Sequence, residues 1–409
     1  MRGDRAPGRH FSIVALLCVI ALIGIPVRAQ QGGQGGQPAQ AAPANQRPRR
    51  EALPTQAEMA GKTAGQVYKN LKVLQDVPAD KLIDGMRYIT IALGERCEYC
   101  HVEDNFPSDQ KRNKVTARKM MTMLFAIDKE NFRGRTQVSC YTCHGGHHEP
   151  LPAPMPADTA AAPQAAALVM ARAKPFQPPA GTPIPTVAQI LAKYADALGG
   201  NAALAKLSTR VLEVERSGDG DRPPSTVQVY LKAPNKLLMV TQMRQRSFDS
   251  GYDGSKVWAS FGRRVREVEG MEALLPPREA QIDPVASLQS YKGLRLVPTM
   301  AQIGDKKAFV VSGRAPDGNA ERFFFDVDSG LLLRRMVVYP TIFGRLLFQA
   351  DYSGYRKAGG VAIPYKTEWW AGGRSWTDTV KSVKTNVPVA DARFEPPAES
   401  AQPAPANRR

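Results

Sequence analysis

Apolar positions along the chain follow two different periods, and the change between them divides it. Leu82, Met86, Ile89 and Leu93 fall on one face of a helix. Pro78 suits the start of that helix, where its missing N–H costs nothing, and Gly94 suits its end. A second stripe, Met120, Met123, Leu124 and Ile127, predicts another helix. The polar loop Glu103–Asn113 precedes it, and a turn at Arg133-Gly134-Arg135 follows it. Residues 186–207 again read as helix through Val187, Ile190, Leu191 and Tyr194. Gly199-Gly200 ends it and Asn201 caps a short successor. After Leu207 the period shortens to that of strands: Val211–Val214, Val227–Leu231, Leu237–Val240, Phe309–Val311, Arg322–Val327 and Leu332–Tyr339. Asp253-Gly254, Asp317-Gly318, Asp328-Ser329-Gly330 and Gly359-Gly360 mark turns. The fold class expected is α+β multidomain: a small, mostly-α unit, then a curved or barrel-like antiparallel β-sheet opened by a helix.

Composition sets the boundaries. Basic Arg2, Arg5, Arg9 and His10, followed by the apolar run Phe11–Val27 and Val27-Arg28-Ala29, read as an export signal over 1–29. Cys18 lies inside it, in a context unlike that of a lipoprotein cysteine. Left uncleaved, the run would instead anchor the chain in a membrane. Residues 30–61, rich in Gln, Gly, Ala and Pro, predict a disordered linker. Residues 62–148 form one unit, 149–185 a Pro/Ala-rich linker, 186–397 the β unit and 398–409 a tail. The formal net charge is +17; four arginines against Asp4 in the signal account for +3, leaving +14 on the mature chain. An exported chain makes nucleic acid an unsuitable partner, so the charge favours encounters with acidic redox partners or anionic membrane surfaces.

The chemistry lies in two pentapeptides, Cys97-Glu98-Tyr99-Cys100-His101 and Cys140-Tyr141-Thr142-Cys143-His144. CxxCH is the attachment signature of haem c. Positions i, i+3 and i+4 share one face of a helical turn. Two sulfurs can therefore form thioethers with a porphyrin edge while the imidazole reaches the iron. The bland alternatives are a redox disulfide, or one zinc shared by the two pairs. Both leave the histidine after each second cysteine as a double coincidence, in a chain with no other mature cysteine. Haem attachment outside the cytoplasmic membrane agrees with export and places the protein in the periplasm. A unit under ninety residues buries little core by itself; two macrocycles would supply the missing apolar surface, so its haem-free form is expected to fold poorly. Methionine thioethers suit the sixth position of low-spin haem, although Met also fills core gaps. His147 and His148, on a Gly-rich turn, read as a solvated loop.

Residues Val67–Leu74, Met86 through CEYCH, Ala117–Met123 and Val138 through CYTCH-Gly145 resemble the cytochrome subunit of photosynthetic reaction centres. The resemblance covers residues 64–146 and two haems, half of the usual four. It implies that Met86 is the distal ligand of the haem on Cys97 and Cys100. It implies Met120 for the haem on Cys140 and Cys143, with Met123 as the fallback. His101 and His144 would be the proximal ligands. The β unit resembles outer-membrane lipoprotein carriers and sorting proteins in its opening helix with Gly199-Gly200, and in Tyr230–Lys236, Gly251–Gly254 and Ile363-Pro364-Tyr365. That resemblance implies an unclosed β-barrel with a concave apolar face for a lipid or other apolar ligand. Trp369-Trp370 fit either a ligand groove or ordinary packing. No residue is assigned a catalytic role, since the β unit holds no nucleophile–base pair, phosphate loop or metal constellation. The reading is a periplasmic electron carrier with two haems c and with a redox donor and acceptor. The alternatives are a di-haem peroxidase, or a lipid- or quinone-binding protein with an accessory cytochrome unit.

Overall fold

The computed structural model describes residues 53–150 and 184–397, except 219–222, 244–245, 262–263 and 372–373. The expectations for the signal, for residues 30–52, for 151–183 and for the tail lie outside the described residues. No described helix is long and apolar enough to cross a membrane.

The helices come first. Short α1 (Gln56–Met59) and α2 (Ala64–Val67) precede α3 (Leu82–Leu93), α4 (Cys97–Cys100), the long α5 (Arg112–Phe132) and α6 (Cys140–His144). Pro78 caps a 3-10 turn, Ala79–Lys81, that runs into α3. Gly94 ends α3 at φ 67°, a conformation that costs glycine little. Further on, α7 (Val187–Leu198) starts with a reciprocal cap: Thr186 Oγ1 accepts from Gln189 N at 3.2 Å, and Gln189 Oε1 accepts from Thr186 N at 2.8 Å. The following α8 (Asn201–Leu204) differs from expectation. Gly200 is its N-cap, at φ 88°, and Asn201 is its first residue; the left-handed backbone of the Gly pair sets the turn without a side-chain cap.

The strands follow. β1 (Thr209–Ser217), β2 (Ser225–Lys232), β3 (Lys236–Met243), β4 (Arg246–Tyr252), β5 (Val257–Phe261) and β6 (Arg264–Val268) form a meander. α9 (Pro276–Glu279) and α10 (Pro284–Gln289) lead to β7 (Lys292–Leu296), β8 (Ala301–Ile303), β9 (Lys306–Arg314), β10 (Ala320–Asp326), β11 (Leu332–Thr341) and β12 (Gly344–Ser353). A separate hairpin, β13 (Arg356–Ala358) with β14 (Val361–Ile363), precedes β15 (Lys366–Ala371) and β16 (Arg374–Thr385). The 14-stranded sheet has the order β6-β5-β4-β3-β2-β1-β16-β15-β12-β11-β10-β9-β7, with β8 also on β9, and every pair named is antiparallel. Its edges β6 and β7 do not pair with one another, so the sheet is unclosed. The fold is α+β: N-terminal helices, then this sheet.

Strand alternation sorts side chains between cores. Phe323 and Phe325 on β10 join Ile190, Tyr194 and Leu198 of α7 in one cluster, while Phe324 between them joins Val310, Leu333 and Met336 in another. A further cluster joins the first helices to the sheet. Leu82, Tyr88 and Ala92 of α3 and Leu124 of α5 pack with Val337, Tyr339, Phe343, Leu346 and Phe348 around the β11–β12 turn. The helical segment thus gains apolar burial from the sheet, a source that composition does not reveal.

Candidate haem-attachment site

Three residues separate the end of α3 from the first CxxCH turn. Cys97–Cys100 form α4, and His101 is its C-cap, at φ −108° and ψ 147°, while still donating its N–H to Cys97 O at 2.9 Å. His101 thus leaves the helical face expected of it and turns into the loop beyond. That loop is pinned from below. Lys114 Nζ donates to the carbonyls of Phe106, Pro107 and Ser108 at 2.8, 2.9 and 3.0 Å. Asn70 Nδ2 donates to Pro107 O at 2.6 Å, and Arg118 reaches Asn70 O and Asp109. The two basic side chains hold the Asp109 carboxyl well below the usual carboxylate range, with the Arg118 hydrogen bond first among the causes. The pinned loop sets Phe106 O 3.0 Å from His101 Nδ1. A carbonyl only accepts, so Nδ1 carries the proton and Nε2 keeps its lone pair. Burial lowers the His101 pKa against the opposing Phe106 hydrogen bond, and the nearby Lys114, Arg118 and Lys111 charges add to the lowering. The ring is therefore biased towards the neutral form a metal needs.

The second turn repeats the arrangement with different parts. Ser139 caps α6, and Ser139 N donates to Thr142 Oγ1 at 3.0 Å. Gly145 ends α6 in the left-handed region, at φ 57°. His144 Nδ1 lies 3.0 Å from His147 O, so the same tautomer follows and Nε2 is again free. The approach to this turn hangs on Asp128, a buried charge on α5 whose Oδ1 accepts from Gln137 N and Val138 N at 3.1 and 3.0 Å. The four cysteines of the two turns are free thiols. Burial pushes Cys140 up to about 11 and also raises Cys100, which keeps both protonated at neutral pH. Among the described residues no three His, Cys, Asp or Glu side chains converge as metal ligands, so the two CxxC pairs do not assemble a shared zinc site.

The turns are interlocked. α6 packs on α3 and α4 packs on α5. Gly146 N donates to Ala92 O at 2.9 Å, and a Cβ on Gly94 would collide with the Gly146 carbonyl. His148 Nδ1 lies 3.3 Å from Glu95 and its ring lies against Tyr99. His147 and His148 are both exposed.

Whether haem fits here is decided by what the helices leave uncovered. On α3 the buried residues are Leu82, Asp84, Gly85, Tyr88 and Ala92. This face is turned by about 100°, roughly one residue, from the expected stripe. Met86, Ile89 and Leu93 are only half-buried at its flank. On α5 the protein buries Met121, Leu124 and Asp128, whereas Met120 and Met123 are 42% and 48% exposed. α5 thus has one apolar face against the protein and a second, methionine-bearing face that the protein does not cover, while on α3 Met86, Ile89 and Leu93 are partly buried against the same core. Exposed Phe106 and Val115 extend the uncovered apolar surface. A flat apolar macrocycle held by the adjacent cysteines would cover such faces, so the donor set and the apolar surface both fit haem. The sequence pattern located the cysteines, histidines and methionines. It did not locate Lys114, Asp128 or the Phe106 carbonyl. The one available signal was Asp128, a charge on the apolar side of an amphipathic helix.

Residues 27–185 match the family model of the photosynthetic reaction centre cytochrome C subunit. The chain is 36% identical over 104 residues to the photosynthetic reaction center cytochrome c subunit of Thermochromatium tepidum, covering 24% of this chain and 26% of that protein. It is 36% identical over 118 residues to the subunit of the same name from Rubrivivax gelatinosus, covering 26% and 32%. It is 33% identical over 110 residues to cytochrome c-554 of Chloroflexus aurantiacus, covering 24% and 26%. The chain thus spans about a quarter to a third of the length of these relatives. Among solved structures, a LolA superfamily protein from Nitrosomonas europaea matches 52% of this chain and 98% of its own at 13% identity and a TM-score of 0.39. An outer membrane lipoprotein-sorting protein domain from Vibrio parahaemolyticus matches 50% and 95% at 10% identity and a TM-score of 0.38.

Proposed function

We propose that the chain is an exported, periplasmic electron carrier with two covalently held haems c. One is bound by Cys97, Cys100 and His101, the other by Cys140, Cys143 and His144. The iron, when bound, supplies a one-electron couple whose potential follows ligand identity, burial and hydrogen bonding. The observation that carries this reading is the repeated geometry. Each CxxCH turn presents two free thiols and a histidine whose Nδ1–H is engaged by a backbone carbonyl, near helices whose methionines are exposed on α5 and half-buried on α3. The protein's part would be to fix the imidazole tautomer, exclude water with the apolar faces, and offer methionine thioethers as further ligands. The domain limits in this reading are 62–148 for the cytochrome unit and 186–397 for the β unit. The second serves at least as a packing partner of the first through the β11–β12 turn.

The test is a pyridine haemochrome assay and an intact mass on the protein exported from a host that matures c-type cytochromes. Two haems per chain and a low-spin spectrum are expected. Colourless protein with the mass of bare polypeptide would end this reading, and a high-spin fraction with peroxide turnover would move it towards a peroxidase.

Distal ligation makes a residue-level prediction. Met86 belongs with the haem on Cys97 and Cys100, and Met120 with the haem on Cys140 and Cys143, with Met123 next in line. Met86→Leu removes a thioether sulfur while keeping the volume. It should leave both haems attached and lower one reduction potential, since methionine ligation raises it. A redox titration identical to wild type would remove Met86 from the ligand set.

A further inference from the structure

The two histidines make the same kind of hydrogen bond to acceptors that differ in one respect. Phe106 O receives His101 Nδ1–H at 3.0 Å and also Lys114 Nζ at 2.8 Å. His144 Nδ1–H goes to His147 O at 3.0 Å, and among the described residues no lysine hydrogen bond to that carbonyl stands beside it. Lys114 is not a loose surface charge: its side chain is only 11% exposed, and it is held by three consecutive carbonyls and by Asp109 at 3.3 Å. Asp109 is shared with Arg118 at 2.9 Å, so one carboxylate faces two cations and the cluster stays positive.

We propose that Lys114 is a positioning residue that raises the reduction potential of the haem held by Cys97, Cys100 and His101 above that of its partner, by drawing on the carbonyl that accepts the His101 Nδ1 proton. The inference rests on the haem reading above. A strong acceptor on Nδ1–H pushes the imidazole towards imidazolate, making it a stronger donor that favours oxidised iron. An ammonium on the same carbonyl oxygen weakens that acceptor and so favours reduced iron. The Lys114 charge acts in the same direction, because oxidised haem iron carries one more positive charge than reduced iron and like charges repel more strongly in a partly desolvated setting. Lys114 also orders the loop that places Phe106 O, so position and potential share one side chain.

The test is a spectroelectrochemical titration of the haem-loaded full chain, with mass and low-spin spectrum as controls. Lys114→Gln should lower one of two potentials by at least a tenfold change in the reduction equilibrium, about 59 mV for a one-electron couple, and leave the other in place. Lys114→Arg, which keeps the charge, should stay near wild type, whereas a merely structural role would let it shift as well. Asp109→Asn removes the opposing charge and should move the same potential upward, which keeps the idea testable if Lys114→Gln fails to fold. Unchanged potentials, equal shifts at both haems, or a downward shift in Asp109→Asn would overturn the proposal. Wild-type protein without covalent haem would instead sink the reading beneath it.

Discussion

Chains carrying Cys140→Ala with Cys143→Ala should emerge from the same host with half the haem of wild type. On that reading each cysteine Sγ–H would add across one vinyl group, forming an S–C bond while the thiol hydrogen goes to the other vinyl carbon, so nothing would leave and the mass would rise by whole haems. Removing both sulfurs of the second turn leaves His144, still oriented by its 3.0 Å contact to His147 O, as the proximal ligand alone. Haem held only by that bond is extracted by acidified organic solvent, whereas haem on Cys97 and Cys100 stays with the polypeptide. The measurement is the intact mass and pyridine haemochrome after extraction: one haem per chain, against two. An unchanged ratio would show that the second turn carries no covalent haem, and complete loss would show that the turns mature only together. This variant also assigns ligands. If Met86 serves the surviving haem, Met86→Leu in this background shifts its potential. That check matters because α6 packs on α3 and α4 on α5, so each attachment turn leans on the helix that precedes the other.

How far the sequence spoke depended on the range of the interaction. CxxCH is a local chemical statement, and the structure keeps both pentapeptides on short helical turns. The helices α3, α5 and α7 were legible because apolar spacing and the Gly-containing turns that end them act within a few residues. The buried faces of α3 and α5 were not. The pattern favoured Met86 and Met120 as centre-stripe residues, but helix rotation is decided by what packs against it. Here the β11–β12 turn takes Gly85 and Tyr88, and a Cβ on Gly85 would overlap Ile342. Strands rich in β-prone residues that mostly alternate, such as β1, β2 and β10, were visible. β15 and β16, which complete the sheet between β12 and β1, were not, because Lys, Thr, Ser and Trp dominate them and their register comes from partners far away in sequence. Buried ion pairs were invisible for the same reason. Glu321 lies within 2.6 Å of Arg278 Nε and 3.0 Å of Arg335 Nε, residues that only the folded sheet brings together.

The largest stability effect expected is at Asp84, which ties α3 to the sheet. Asp84 sits on the buried face of α3 and accepts hydrogen bonds from the Tyr339 hydroxyl of β11 and from Met271 N at 3.1 Å. Arg87, one turn on, lies 3.3 Å from Asp84 and 2.9 Å from Glu272, closing the contact from the other side. Burial first, and then the hydrogen bond to Asp84, raise the Tyr339 pKa, so the phenol stays a donor at all ordinary pH. Asp84→Ala removes the acceptor and leaves a buried hydroxyl, a half-buried backbone N–H and a half-buried guanidinium short of partners. Unsatisfied buried groups cost about 1–3 kcal/mol each, and breaking a buried charged contact about 3–5 kcal/mol; about 3 kcal/mol is the expected loss. Tyr339→Phe removes one donor and keeps the ring, so it should cost only about 1 kcal/mol. Denaturant unfolding followed by Soret absorbance and by far-ultraviolet dichroism separates local from global effects. In wild type the two transitions should coincide, because α3 and β11 share a core. In Asp84→Ala the Soret transition should move to lower denaturant and part from the sheet transition. If both probes shift by less than about 0.5 kcal/mol, the size of an ordinary surface substitution, then Asp84 does not couple helix to sheet and the apolar cluster around Tyr88 and Phe343 carries the junction.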